Sequence, residues 1–213
     1  MLTVHHLNNS RSQRVLWLLE ELGLDYEIRH YQRDPVTNLA PAELKAIHPL
    51  GKSPVITDGD KVIAETGAIV EYLIRNHSEG SMIPSPHTEA FDLYTQFMHA
   101  SEGSVMLPLL LSLYVGLLGE AGTPLHPKIT EEIRKQIDYI EYHLIGHDWF
   151  AGDDISGADI MMIFPLEACK ARGRLKGYDS CLEFVEKVHK RPAYLRALER
   201  GGNYDYGPKN ANS

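Results

Sequence analysis

Apolar and polar positions alternate along Leu2-Thr3-Val4-His5-His6-Leu7, which predicts a first β-strand. From Val15 the period lengthens. Val15, Leu18, Leu19 and Leu22 fall at i, i+3, i+4 and i+7 on one helical face, with Glu20 and Glu21 turned outward and Gly23 as the stop. Tyr26 to Tyr31 alternates again and predicts a second strand, and Pro41 opens a short helical turn over Ala42 to Ile47. Val55-Ile56 and Val62-Ile63 flank Thr57-Asp58-Gly59-Asp60-Lys61, a hairpin turn because Asp-Gly tolerates the positive φ such turns need. Glu65-Thr66 then opens an amphipathic helix.

The first 77 residues therefore follow β-α-β-α-β-β-α. Strands joined through a helix favour a parallel pair with a right-handed crossover, and the hairpin adds an antiparallel pair. That is an α/β, thioredoxin-like arrangement over 1–77. Residues 78–86 are polar, contain Pro84 and Pro86, and form a linker. Beyond it the strand signals stop, and 87–213 is predicted to be an all-α domain. Its helices are expected near Thr88–Leu118, Pro127–Ile145, Ser156–Arg172, Cys181–Lys190 and Pro192–Glu199. Ile155-Ser156-Gly157-Ala158-Asp159-Ile160 is a capping box with a hydrophobic staple, a folding signal rather than a chemical one.

Composition narrows the partners. The formal net charge of -8 argues against nucleic acid, since phosphate binding wants clustered Lys and Arg. Cys169 and Cys181 fit neither a disulfide framework, a zinc site nor a redox pair, and read as buried or idle thiols, so no metal is expected. The start MLTVHHL lacks the basic and apolar regions of a signal peptide, which makes the cytoplasm the expected compartment. The most apolar window, Val105 to Leu118, contains Pro108 and falls short of the roughly 20 residues that span a bilayer. No membrane partner is expected.

Four motifs stand out: Ser10-Arg11-Ser12-Gln13-Arg14-Val15, Gly51-Lys52-Ser53-Pro54, Glu65-Thr66 and the Ser156-to-Asp159 box. Together, in this order and spacing over nearly the whole chain, they resemble the cytosolic glutathione S-transferase family. The similarity is greatest to bacterial and fungal, theta-like branches in which a serine precedes an arginine by four. The resemblance implies a thioredoxin-like domain binding glutathione as co-substrate, a helical domain lining a second-substrate pocket, and a homodimer.

On that resemblance Ser10, at the end of the first strand and the tip of the first helix, is the donor to the glutathione thiolate, where a hydroxyl and the positive end of a helix meet the sulfur. Asn9 and Ser12 are the alternatives, in that order, and Ser10 would serve equally as a plain N-cap. Ser53-Pro54 resembles the family's cis-proline element, whose backbone faces the cysteinyl unit. A trans proline opening a strand is the plainer reading. Serine before this proline departs from the apolar residue of most branches. Thr66 and the following amides would take the γ-glutamyl carboxylate and Glu65 its ammonium, although both also suit a helix start. Lys52 is placed for the glycyl carboxylate, or is simply solvated.

Met106, Leu110 and Tyr114 are candidates for an apolar electrophile pocket, at a spacing that equally marks core. The implied function is conjugation of the glutathione thiolate to an apolar electrophile. A glutathione-dependent peroxidase or disulfide reductase, or a non-catalytic glutathione- or ligand-binding relative, are the alternatives.

Overall fold

The computed structural model describes residues 1–208; residues 209–213, where the expected helical domain ends, lie outside them. In chain order the elements are β1 (Leu2–Leu7), α1 (Ser12–Glu21), β2 (Glu27–Tyr31), α2 (Leu44–Ile47), β3 (Val55–Asp58), β4 (Lys61–Ala64), α3 (Thr66–His77), α4 (Glu89–Ala100), α5 (Met106–Gly116), α6 (His126–Leu144), α7 (Gly157–Ala171), α8 (Asp179–His189) and α9 (Pro192–Gly201). They pack as two compact units, Met1–Ile83 together with 187–208, and Pro84–Glu186.

In the first unit the sheet order is β2-β1-β3-β4, with β2 parallel to β1 and the β3–β4 hairpin antiparallel. This is the thioredoxin-like sheet that the alternating segments predict. Register places Val4 beside Ile28 and Ile56, and His6 beside His30, on one face of the sheet. α1 packs on β1 and α3, and α9 packs along α1. Enclosed in this way, Val15, Leu16, Trp17, Leu18 and Leu19 are all fully buried, whereas the sequence period marks only one face as apolar.

Glu20 and Glu21, expected to point outward into solvent, are ion-paired instead. Arg191 forks onto Glu21 at 2.5 and 2.8 Å, and Arg196 and Arg200 reach Glu20 at 2.8 and 3.1 Å. Trp17 meets the edge of Tyr194 and gives its indole N–H to Glu21 at 2.7 Å. At the end of α9, a Cβ on Gly201 would sit 2.6 Å from the Gln13 side-chain oxygen and 2.9 Å from Leu16, so only glycine lets the two helices approach this closely.

In the second unit the single helix expected over Thr88–Leu118 is interrupted. α4 and α5 are joined by a π-helical turn, Ser101–Val105, because Pro108 has no N–H to give back to the preceding turn and its ring displaces the carbonyl four residues earlier. Ser101 anchors this widened turn by donating to the Met161 carbonyl at 2.8 Å. α7 is buried along Gly157–Cys169 and begins with the capping box the sequence announces. The Asp159 carboxylate accepts from the Ser156 N–H and hydroxyl at 2.8 and 3.0 Å and from the Phe150 N–H at 2.8 Å. Complete burial raises its pKa to about 6 against these bonds.

Candidate active site

The site is built where β1 runs into α1. Ser10 lies in the turn between them, and its buried hydroxyl contacts Ser12 Oγ at 2.8 Å and accepts from the Ser12 N–H at 3.2 Å. Ser12 opens α1 but turns its hydroxyl back onto the strand. Its oxygen accepts from the Leu7 N–H at 3.2 Å, and it lies 3.2 Å from the Leu7 carbonyl and 2.9 Å from His6 Nδ1. At the tip of α1 the Ser12 N–H is taken by Ser10 Oγ and the Gln13 N–H by the Ser10 carbonyl at 3.2 Å, so Ser10 sits at the positive end of the helix.

The Ser53–Pro54 bond is cis. The Ser53 hydroxyl donates to the His5 carbonyl at 2.8 Å and accepts from the Leu7 N–H at 3.3 Å. The serine that departs from the usual apolar residue thus supplies an anchor to β1, two positions before the backbone pairing of β3 begins at Val55. Through the shared Leu7 N–H, the cis-proline loop and the Ser10–Ser12 turn meet at one point of β1. Lys52, next in this loop, is exposed.

Thr66 is buried as the first residue of α3, and Glu65 before it is exposed at φ 68°, in the left-handed region that a residue with a side chain enters at a cost of about 1–3 kcal/mol. Glu65 takes the N-cap position of the helix without a side-chain cap bond. The amides at the start of α3 are left for another acceptor.

Asn9 is differently engaged. It sits at φ 50°, gives its amide N–H to Asp205 Oδ2 at 2.7 Å, and accepts the Asp205 backbone N–H at 2.9 Å. Arg33 fixes the same loop by donating to the carbonyls of Asn8, Asn9 and Asn38. Sequence reasoning missed Arg33, Asp205 and His6. No local pattern marks them, since each acts through a partner on another element.

The pocket candidates lie on α5 in the second unit, with Met106 buried, Leu110 half-buried and Tyr114 exposed. Cys169 and Cys181 are buried in the same unit. Burial raises the Cys169 thiol to about 11, and burial together with Glu141 raises that of Cys181 further. Among the described residues no group of three or more His, Cys, Asp or Glu side chains is set to hold a metal ion, and no helix is long and apolar enough to cross a membrane.

The chain is similar to known proteins over most of its length. The family model "Glutathione S-transferase, N-terminal domain" matches residues 1–75 and "Glutathione S-transferase, C-terminal domain" matches 97–195. Glutathione S-transferase 3 of Schizosaccharomyces pombe is 33% identical over 94% of this chain and 88% of its own. Glutathione S-transferase 1 of Saccharomyces cerevisiae is 30% identical over 94% and 95%. The crystal structure of a glutathione S-transferase from Actinobacillus pleuropneumoniae, 35% identical, superposes with a TM-score of 0.89 over 97% of this chain and 95% of that one.

Proposed function

Because the chain belongs to the glutathione S-transferase family, we propose that it joins the glutathione thiolate to an apolar electrophile, with Ser10 as the hydroxyl that steadies the sulfur. The observation that carries this reading is the placement of Ser10: a buried hydroxyl at the tip of α1, tied through Ser12 and Leu7 to the cis Ser53–Pro54 loop. Asn9 is the weaker donor because Asp205 occupies both ends of its amide. Ser12 is weaker because its hydroxyl faces β1.

The backbone at Ser53–Pro54 is the pairing partner for the cysteinyl unit. The free amides of α3, with Thr66 and Glu65, receive the γ-glutamyl end, and Lys52 receives the glycyl carboxylate. Met106, Leu110 and Tyr114 are the candidates for contact with the electrophile. Conjugation is favoured over disulfide reduction through a protein dithiol because both cysteines are buried and held protonated. A homodimer working in the cytoplasm completes the reading.

Ser10→Ala is expected to lower the rate of conjugation of a chloronitroarene about 10- to 100-fold, roughly 1.4–2.7 kcal/mol of transition-state stabilisation, while glutathione affinity stays within a few-fold. Steady-state kinetics and calorimetry read the two effects separately. Unchanged turnover in Ser10→Ala would remove Ser10 from the role.

A further inference from the structure

Behind Ser10 runs a buried chain of hydrogen-bonding groups that sulfur binding alone does not call for. Ser10 Oγ lies 2.8 Å from Ser12 Oγ, which lies 2.9 Å from His6 Nδ1, and all three side chains are at most 5% exposed. The His6 ring also hydrogen-bonds the Gly201 backbone, whose carbonyl is the group there able to pair with an imidazole N–H. Since Nδ1 faces Ser12, the nitrogen that donates to Gly201 is Nε2. A neutral imidazole has a single N–H, so Nδ1 carries a lone pair and is the nearer acceptor of the Ser12 proton at 2.9 Å, the Leu7 carbonyl being the other at 3.2 Å. With that proton committed, and with the Leu7 N–H already pointing at Ser12 Oγ, Ser12 can only accept from the Ser10 hydroxyl. Every proton in the chain therefore points inward, and the chain ends on a vacant base.

We infer that Ser10, Ser12 and His6 form a proton relay that takes the proton the glutathione thiol must lose. The inference rests on the assignment of Ser10 as the residue facing the sulfur. As the thiol S–H bond breaks, its proton forms a bond to Ser10 Oγ and the electron pair stays on sulfur. The proton originally on Ser10 passes to Ser12 Oγ, and the Ser12 proton passes to His6 Nδ1. No other reactant is needed. The transfer reverses all the hydrogen bonds at once: His6 now donates to Ser12, Ser12 to Ser10, and Ser10 to the thiolate. This is the polarity that stabilises the anion, while Nε2–H keeps its bond to Gly201. When product leaves, the proton returns outward along the same hydroxyls to water.

The groups facing His6 are consistent with this role. β2 brings His30, edge-on at 5.7 Å, α1 brings Ser12, and α9 brings the Gly201 carbonyl. Burial, with His30 adding to it, keeps the ring neutral in the free protein, so the base is empty before glutathione arrives. For His6 to keep the proton near neutral pH, the thiolate at the outer end must act as the countercharge that lifts the ring from about 4 to above the pH of the assay.

The relay is tested by counting protons. Glutathione is added to the weakly buffered protein near neutral pH, with a pH indicator reading released protons and ultraviolet absorption reading thiolate. The wild type is expected to form thiolate while releasing well under one proton for each. His6→Asn keeps a hydrogen-bond acceptor but no titratable nitrogen. It is expected to release a full proton per thiolate and to raise the bound-thiol pKa by about one unit or more, a tenfold loss of thiolate below that pKa. Ser12→Ala, which breaks the chain without touching the histidine, is expected to do the same. A full proton released by the wild type would overturn the relay whether or not the variants fold, and so would His6→Asn with wild-type stoichiometry. If Ser10→Ala alone raises the thiol pKa, Ser10 acts without the relay. If Ser10→Ala leaves thiolate formation unchanged, the assignment of Ser10 fails and the relay with it.

Discussion

Burial, reinforced by repulsion from His30, holds the His6 imidazole at about 4 against its ordinary 6.5. In the unfolded chain the ring takes up a proton near 6.5, so between there and about pH 4 the unfolded state binds more protons than the folded one. Stability of the unit containing β1 should therefore be at its full value above pH 6.5 and fall as the pH drops through this window, by roughly 3 kcal/mol in all. Thermal melts between neutral pH and about 4.5 should show this slope in the wild type and a flatter one in His6→Gln, which cannot titrate. A slope untouched by the substitution would mean that another group carries it. At the same scale, Ser53 shows how one departure from a family's habit is accommodated. Its hydroxyl bonds both the His5 carbonyl and the Leu7 N–H and so ties the loop to β1 just ahead of the β1–β3 pairing.

Among the elements, α7 carries the most concentrated polar commitment. Its first turn is closed by Asp159, whose two oxygens accept from three donors, the Phe150 N–H and the N–H and hydroxyl of Ser156. The pH sense is opposite to that of His6. A carboxyl raised to about 6 by burial binds a proton more readily in the folded chain, so its contribution is full below about 3.8 and is lost as the pH rises through 6. Asp159→Asn puts an N–H where donors already point. It should destabilise the protein by about 1–3 kcal/mol, read as a lower denaturant midpoint with little change in slope. A midpoint within experimental error of wild type would show that the three bonds are replaceable. The box itself is plain in the sequence, as Ser156 and Asp159 three residues apart before an apolar run. The break between α4 and α5 is foreshadowed only by Pro108, because the periodicity on either side is continuous and the π-helical turn restores phase by taking up an extra residue.

For the molecule as a whole, residues 187–208 share a compact unit with Met1–Ile83. Trp17 is fully buried, and Tyr194, Ala193 and Ala197 bury their side chains in the same unit, at about 1.5–3 kcal/mol for each large apolar group. A fragment ending at Ile83 lacks that cover and the three arginines that pair Glu20 and Glu21. It is expected to be largely unfolded by circular dichroism and not to bind glutathione, and a peptide spanning 187–208 is expected to restore part of both. A fragment that folds and binds alone would show α9 to be dispensable.

The sheet, the hairpin, most helix limits and the α7 cap follow from residues close in sequence, because a strand's period of two, a helix's of 3.6 and a cap's three-residue spacing are local rules. Ser10, Ser53–Pro54, Glu65 and Thr66 are legible as site candidates only because the short motifs around them resemble those of a known family; local rules alone mark them as a turn and helix starts. What no local rule contains is pairing across the chain: Asp205 on Asn9, Arg33 across the Asn8–Asn9 turn, α9 over α1, and the Gly201 carbonyl that fixes which way the His6 ring donates. Those contacts bring together residues up to about two hundred positions apart, and a hydrogen bond's direction depends on the partner it finds, which only the folded chain supplies.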